Sequence, residues 1–458
     1  MDKHTRHAIS TSLVVGLITL PIMAVVYITH QDIILLFGIL AITMLTMLLF
    51  ARPLLGLPAL LVVRPAIDIL GDRSFTLGAV NINVAAIMSI LAILWALWIL
   101  VPHWKKVMDL PIFWPAALFF GISVWSLFLS VSPTATITEI VRLGACFLLL
   151  FVALWQTKNV QDLQRIFRGF AAGLAIPVVV ALYQVITNSG LTFAESVNRA
   201  YGTFGHPNVL AFYLVLAILA LLGARTAFPH DRTTHPSIII VLAITLLLTQ
   251  TRGAWLGVIL GLGYIGLVRY RQALLVGAIS LIAVSFILPA LQGSLAGTSF
   301  DIQRAPVIGP ILQRQFNTSS LDWRLDVWRE MEQRFTERPV FGFGLGTFPT
   351  LRQLQVFDIY DQGIGAHNDY LRLLIELGIA GIVFYAILLF SFARNLRDTI
   401  NHYRHTTFSN LPLFLVAFFL AFLAMSYFDN LLQATPVMWA WCILLGATIA
   451  TRPAKKGN

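Results

Sequence analysis

Apolar runs of about 20 residues recur along almost the whole chain, and each is long enough to cross the hydrocarbon core of a membrane as a helix. Because backbone groups in lipid must satisfy one another's hydrogen bonds, helices are the expected structure of these runs. The sequence therefore predicts an all-α, polytopic helical membrane protein with about 12 to 14 transmembrane helices. The predicted spans are 9–29, 33–51, 54–70, 82–101, 111–130, 138–155, 168–187, 207–223, 236–250, 253–268, 272–290, 369–392, 411–428 and 433–450.

Composition supports this class, since hydrophobic residues make up 58% of the 458 residues and charged residues only 11%. The run 9–29 is too long for the apolar core of a signal peptide and lacks a small-residue cleavage site, so we expect a spanning helix there. The run 54–70 holds Arg64, Pro65 and Asp68, which leaves a re-entrant or broken helix as an alternative.

The two cysteines, Cys146 and Cys442, lie inside apolar runs and form neither a disulfide framework nor a metal motif. The formal net charge is +10, but the basic residues flank apolar runs, so no nucleic-acid partner is expected. With the N-terminus in the cytoplasm, all six lysines fall on the cytoplasmic side. This orientation places both termini inside and the large polar loop outside.

Three segments describe the chain: an N-terminal transmembrane bundle (1–290), a large external loop (291–368) and a C-terminal three-helix transmembrane segment (369–458). The loop carries seven arginines, and its stretch 322–330 is predicted to form an amphipathic helix that lies on the membrane, with Trp323 and Trp328 at the interface.

His367 is the strongest candidate for chemistry. It precedes Asn368 and Asp369, which are predicted to start a helix that re-enters the membrane. A histidine side chain titrates near neutral pH and can accept a proton there. A helix N-terminus beside an arginine-rich loop suits an anionic, lipid-attached substrate. His206 is the other candidate, although His206-Pro207 also resembles a plain helix start.

Arginine predominates on the external side, where its planar guanidinium can grip phosphate with two hydrogen bonds. For Arg252 the alternative is an interfacial anchor, and for Arg324 it is a salt bridge or packing on tryptophan. Asp369, Arg372 and Glu376 share one helical face that is expected to point into the protein. The external set comprises Arg142, Arg199, His206, Arg252, Arg324, His367, Asp369, Arg372, Asp429 and Asn430.

Gly342, Gly344 and Gly346 superficially resemble a phosphate-cradling loop, but no Lys-Ser/Thr pair follows them. A tight turn that brings the loop back to the membrane is the better interpretation. The external loops hold no Asp-x-Asp pair, so a metal site is not expected.

Taken together, five motifs resemble those of the O-antigen ligase and polymerase superfamily of bacterial glycosyltransferases. They follow the family's order over about 200 residues, within a core region of about 199–392. The motifs are Tyr201-Gly-Thr-Phe-Gly-His-Pro-Asn208, Thr249-Gln-Thr-Arg-Gly-Ala-Trp255, Arg324-x-x-x-Trp328, Arg338-Pro-Val-Phe-Gly-Phe-Gly-Leu-Gly-Thr-Phe348 and Ala366-His-Asn-Asp-Tyr-Leu371.

The resemblance implies a metal-independent, inverting glycosyltransferase of the C type (GT-C), with no cofactor, in the bacterial inner membrane. Its donor would be a glycan on undecaprenyl diphosphate, and its acceptor a sugar hydroxyl on lipid A–core in a ligase or on another chain in a polymerase. His367 would be the catalytic base on the periplasmic face, with Arg252 and Arg324 on the diphosphate. Arg199, His206, Asp369 and Arg372 are further substrate-binding candidates.

Two other classes remain open. A membrane anion or inorganic-carbon transporter would favour paired broken helices in two repeated halves, and we find no such repeat in the sequence. A pure assembly or scaffold protein would leave the external histidines and arginines without a function.

Overall fold

The computed structural model describes residues 33–71, 74–77, 80–193, 197–272, 319–351 and 365–452. The side chains of 33–37, 74–77, 80–83, 192, 193, 197, 319–326 and 407 lie outside this description. Helices dominate the described chain, which confirms the predicted all-α, polytopic membrane architecture. Two antiparallel hairpins interrupt them, Ser74–Leu77 with Val80–Asn83 and Leu191–Phe193 with Val197–Arg199.

The helices are named here in chain order, and short 3-10 turns extend several of them. They are α1 Ile33–Ala51, α2 Gly56–Ile67, α3 Val84–Leu100, α4 Trp104–Met108, α5 Phe113–Trp125, α6 Pro133–Gln156, α7 Val160–Gly173, α8 Ala175–Ile186, α9 Pro207–Ala227, α10 Pro236–Leu248, α11 Arg252–Val268, α12 Ser319–Glu337, α13 Phe348–Leu351, α14 Asp369–His402, α15 Asn410–Met425 and α16 Thr435–Ala450.

Six helical segments in the described residues are long and apolar enough to cross a membrane, and six shorter apolar helices accompany them. These twelve coincide with twelve of the fourteen predicted spans, while the spans 9–29 and 272–290 lie outside the described residues. The six long segments are Pro53–Leu70, Val84–Met108, Pro133–Gln156, Val160–Ile186, Pro207–Ala227 and Asp369–His402.

The segment Pro53–Leu70, for which a re-entrant or broken helix was an alternative, is one continuous helical run despite its internal proline. Arg64 and Asp68 lie one turn apart and form an ion pair. The Arg64 guanidinium also lies 5.6 Å from the centre of the Trp439 ring. A paired, stacked arginine is tolerated inside a bundle, because it faces protein and not lipid.

Helices α9 and α16 form the centre of the bundle, since both are buried along nearly their whole length. Helix α9 packs on α15, and α16 packs on α6. The centre of the bundle therefore ends, on one side, at His206 before α9 and at the turn 426–434 before α16. We call this side the site end.

Helix α14 is longer than the predicted span 369–392 and is bent. Gly378 has a φ of 65°, and a Cβ there would lie 2.3 Å from the carbonyl oxygen of Val340. Only glycine adopts this conformation at such a close approach of backbone. The helix ends at His402, and Asp398 in its extension pairs with Arg452 at 3.3 Å.

The described part of the large loop packs on α14 and forms a small hydrophobic core of its own. Helix α12 includes the predicted amphipathic stretch, and the side chain of Trp323 lies outside the description. The Trp328 Nε1–H donates to the carbonyl of Ala366 at 3.0 Å, and its ring contacts Tyr427, so this tryptophan packs on protein. The core consists of Val327, Met331, Phe343, Phe348, Leu351, Ala366 and Ile375.

Candidate functional site

Three helices begin together at the site end. Helix α9 begins after His206, α11 after Thr251 and α14 after Asn368. The turn between α15 and α16 lies among them, because the backbone N–H of Asp369 donates to the carbonyl of Ser426 at 2.8 Å. Each helix N-terminus carries a partial positive charge, so this end of the bundle favours an anionic group.

Arg199 fastens two of these helix starts to each other. Its Nε–H donates to the carbonyl of Thr249, and its Nη2 donates to Oδ1 of Asn208 and to Oγ1 of Thr251, each at 2.8 Å. These three acceptors are uncharged. The structure therefore brings Arg199, one of the predicted candidates, into the base of the site, where it is 8% exposed.

Asn208 and Asp429 continue this network to His367. The Nδ2–H of Asn208 donates to Oδ2 of Asp429. Oδ1 of Asp429 accepts the backbone N–H of Asn430 at 2.8 Å and lies 3.2 Å from Nδ1 of His367. Burial would raise the pKa of Asp429, but the hydrogen bond and charge of His367 and the Asn430 N–H hold it well below its usual range.

The ionised Asp429 defines the proton position on His367. A carboxylate is only an acceptor, so the Nδ1 atom of His367 carries the hydrogen that lies between the two groups. In the neutral ring the Nε2 atom is then left with its lone pair. His367 is thus held in the tautomer that a general base requires.

His206 is the N-cap of α9, as the helix-start interpretation predicts. Its Nδ1 accepts the backbone N–H of Asn208 at 3.0 Å. The pKa of His206 is lowered to about 4, chiefly by burial; the charge of Asp429 opposes this shift, and the charges of Arg199 and His367 add to it. His206 is therefore neutral at pH 7.

Backbone strain marks two loops of the site. Gln250 has a φ of 52° and His367 a φ of 44°, and both are in the left-handed region that side chains other than glycine rarely adopt. Gln250 lies between Thr249 and Thr251, which both contact Arg199. Strain of this kind is common where a side chain must be aimed at a ligand.

Arg372, a further predicted candidate, is buried among carboxylates. Its Nη2 lies 3.3 Å from Asp369, and its Nη1 lies 3.7 Å from Glu139 and 3.9 Å from Glu376. Arg372 is 3% exposed, and Asp369 and Glu376 are 0% exposed. The predicted inward-facing surface of α14 is confirmed, and Glu139 on α6 faces it.

This carboxylate cluster ties α14 to the segments around it. Oδ2 of Asp369 accepts the backbone N–H of Leu432 at 3.0 Å, next to the turn that carries Asp429. Oε1 of Glu376 accepts the backbone N–H of Phe348 at 3.1 Å. Asp369 therefore ties the start of α14 to the turn that carries Asp429.

The glycine series forms the predicted tight turn. Gly342, Gly344 and Gly346 have φ values of 66°, 106° and 82°. The N–H of Gly344 donates to the carbonyl of Glu376 at 2.9 Å, and the N–H of Leu345 donates to Oγ of Ser126 at 3.1 Å. The turn thus seats the returning loop between α14 and the end of α5.

The two predicted diphosphate-binding arginines are placed differently. Arg252 is the first residue of α11 and is exposed. Its neighbour Thr251 contacts Asn208, whose side chain holds Asp429, so Arg252 lies at the edge of the network. Arg324 lies one helical turn before Trp328 in α12, and its side chain lies outside the described residues.

Within the described residues, no group of three or more His, Cys, Asp and Glu side chains is arranged to hold a metal ion. The positive charges that the described site offers to an anion are those of arginine side chains and helix N-termini.

Residues 237–386 match a family model described as O-antigen ligase. The matched part of the chain is similar to O-antigen ligases. The match covers about a third of the chain, and its range lies inside the predicted core region 199–392. The resemblance predicted from the five motifs is confirmed at the level of the family. None of the curated proteins matches the chain.

The matched range 237–386 includes Arg252, Arg324 and His367. The family consists of glycosyltransferase-like O-antigen ligases, which supports an enzymatic role at that level. Arg199 and Asp429 lie outside the matched range, yet they complete the network around His367.

Three members of the network had no assigned role in the sequence analysis. Asp429 was only one of the external polar residues, and Asn208 and Glu139 were not considered as site residues. A signal for Asp429 does exist, since it is a lone carboxylate between two apolar runs. A charged group in that position costs free energy unless it has a partner. The sequence does not show which residue that partner is.

Proposed function

We propose that this protein transfers a glycan from undecaprenyl diphosphate to a sugar hydroxyl at the outer face of the bacterial inner membrane. The acceptor of an O-antigen ligase would be lipid A–core. The single observation that carries the proposal is the His367–Asp429 pair, with a separation of 3.2 Å, among three helix N-termini and Arg199.

The reaction follows from the tautomer of His367. Its Nε2 takes the proton of the acceptor hydroxyl while the hydroxyl oxygen forms a bond to the anomeric carbon. The bond from that carbon to the phosphate oxygen breaks, and its electron pair leaves with the lipid diphosphate. One displacement inverts the anomeric carbon. Asp429 stabilises the resulting imidazolium through Nδ1 without taking the proton.

The departing diphosphate gains one negative charge, and we propose that arginine side chains stabilise it. Arg252 is exposed at the edge of the network, and Arg324 is proposed to join it from α12. A well-placed hydrogen-bond donor to such developing charge lowers the activation free energy by about 3 kcal/mol. A lipid-linked donor also carries its own leaving group, so it needs no nucleotide outside the cell.

The proposed orientation places the site end in the periplasm and both termini in the cytoplasm. The described lysines support it, because Lys105, Lys106 and Lys158 lie in the loops that alternate with those of the site end. A reporter fused after Ser320 should be active only outside the cytoplasm, and fusions after Arg165 or Arg397 only inside. Cytoplasmic activity at position 320 contradicts the orientation.

The decisive experiment replaces His367 in a strain that lacks the chromosomal gene. His367→Ala should abolish glycan transfer and leave a folded, membrane-inserted protein, while lipid-linked glycan accumulates. His367→Gln should not restore transfer, because glutamine can hold a hydroxyl but cannot take its proton. The readouts are the lipopolysaccharide banding pattern and the amount of undecaprenyl-linked glycan.

A matched control is His230→Ala, an exposed histidine beyond the far end of α9, which should transfer at the wild-type rate. Wild-type transfer by His367→Ala removes His367 from the mechanism. The deletion strain also distinguishes the acceptors. Uncapped lipid A–core with accumulated long chains indicates a ligase, and lipid A–core capped by a single repeat indicates a polymerase.

A further inference from the structure

The two histidines of the site have opposite hydrogen-bond partners and therefore opposite tautomers. Nδ1 of His206 accepts the backbone N–H of Asn208 at 3.0 Å, so in the neutral ring its hydrogen is on Nε2. Nδ1 of His367 faces the Asp429 carboxylate at 3.2 Å, so its hydrogen is on Nδ1. The Nε2 atom of His367 is therefore an acceptor, and the Nε2–H group of His206 is a donor.

His206 belongs to the same network as the proposed base. Asn208 donates its backbone N–H to His206 and its side-chain N–H to Asp429, which contacts His367. Among the described residues, the charges of Asp429, Arg199 and His367 act on the His206 ring. The N-terminus of α9 disfavours a positive charge on this ring, which keeps it neutral.

We propose that His206 is a neutral hydrogen-bond donor of the active site, whose Nε2–H binds a phosphoryl oxygen of the lipid diphosphate as the glycosidic bond breaks. This inference rests on the proposed function. The leaving oxygen takes the electron pair of the broken bond, and His206 keeps its hydrogen throughout. The proton of the acceptor hydroxyl goes to His367.

Two physical reasons favour the phosphate over the acceptor as the partner of His206. A hydrogen bond to the attacking oxygen would withdraw electron density from it, whereas one to the departing oxygen stabilises the charge that develops there. Arg199 and the start of α9 also supply positive charge beside His206, against the opposing charge of the Asp429 carboxylate.

The test compares three replacements that all suit a helix N-cap. His206→Asn keeps a capping oxygen and supplies N–H donors, His206→Asp keeps the oxygen without a donor, and His206→Gly has neither donor nor charge. The assay is transfer from purified lipid-linked glycan by the full-length protein in liposomes. Helix content and the thermal midpoint show whether each variant folds.

We expect His206→Asn to keep kcat within about tenfold of the wild type, while His206→Asp and His206→Gly lose about 100-fold in kcat. KM for the lipid-linked glycan should change less than kcat, because the hydrogen bond from His206 stabilises charge that develops only during the reaction. A residue that only caps α9 would not separate Asn from Gly in this way.

Equal kcat values for the three folded variants overturn the inference, since His206 would then be a cap alone. A folded but inactive His206→Asn also overturns it, because proton transfer by His206 would then be required. If the wild-type protein transfers no glycan, the proposed function fails and this inference falls with it. Wild-type transfer without the expected pattern among the variants removes only the inference.

Discussion

The Oδ1 atom of Asp429 lies 3.2 Å from the Nδ1 atom of His367, across 62 residues of sequence. The carboxylate fixes the ring's tautomer, so its replacement should disable a base without removing it. Asp429→Asn can present an N–H to Nδ1 and move the ring's hydrogen to Nε2. We expect glycan transfer to fall about 100-fold or more, measured as initial rates with purified lipid-linked donor.

The control for this change is Asp398→Asn, a partly exposed carboxylate in the far part of α14 that pairs with Arg452. It should transfer at close to the wild-type rate. A wild-type rate in folded Asp429→Asn would show that Asp429 does not orient the base.

Arg252 tests whether the site needs a guanidinium or only a positive charge. If it grips the diphosphate with two hydrogen bonds, Arg252→Lys should fail nearly as badly as Arg252→Ala, since lysine lacks the planar fork. Arg269, exposed beyond the other end of α11, is the matched position for both replacements and should tolerate them. Full transfer by Arg252→Lys would make Arg252 an interfacial anchor.

Arg372 and Arg142 both contact Glu139 but differ in burial, with exposures of 3% and 27%. Removal of Arg372 leaves Asp369, Glu376 and Glu139 without their shared cation, so Arg372→Ala should lower stability by about 3–5 kcal/mol. Arg142→Ala should cost no more than about 1 kcal/mol. The measurement is unfolding in detergent, and equal losses would contradict a structural role for Arg372.

Gly378 allows the bend in α14, and a side chain there would meet the carbonyl of Val340. Gly378→Ala should lower the thermal midpoint and the transfer rate, because it displaces the loop from α14. Gly263→Ala in α11 is the control, since its Cβ would meet no atom within 4 Å. The control should be neutral or stabilising by up to about 1 kcal/mol. The same midpoint for both variants would contradict the close approach at Gly378.

The lowered pKa of His206 should make the free energy of unfolding depend on pH. Its pKa is about 4 in the folded protein, whereas a histidine in an unfolded chain has a pKa near 6.5. Between these values the unfolded state binds more protons, so the contribution of His206 is fully present above about pH 6.5 and is lost as the pH falls towards 4. The wild type should therefore lose more stability than His206→Asn over this range, and identical curves would contradict a partly buried ring that is neutral at pH 7.

The helices could be predicted from the sequence because membrane-spanning segments are local in character. A stretch of about 20 residues is enough to show whether a segment is long and apolar enough to span a membrane. The cap at Asn368 and the helix start at His206 are equally local, and the structure contains both. The bend at Gly378 depends on the distant backbone of Val340, and no local pattern predicts it.

Side-chain partners from distant helices could not be predicted in the same way. The spacing of Asp369, Arg372 and Glu376 predicted one inward face, but Glu139 joins them from α6. The sequence does not show this third carboxylate, and the assignment of Arg372 as a substrate-binding candidate stays a prediction. Asp429 meets His367 only because α15 and α16 pack beside the start of α14, which is a tertiary arrangement.

The glycine turn also sets an order of events during biosynthesis. Gly344 hydrogen-bonds to the carbonyl of Glu376, a residue in the interior of α14. The ribosome makes the turn before it makes that helix, so the loop has no docking surface until α14 has entered the membrane. The site can therefore be completed only after the C-terminal segment is inserted, and a nascent chain that stalls before this point remains inactive.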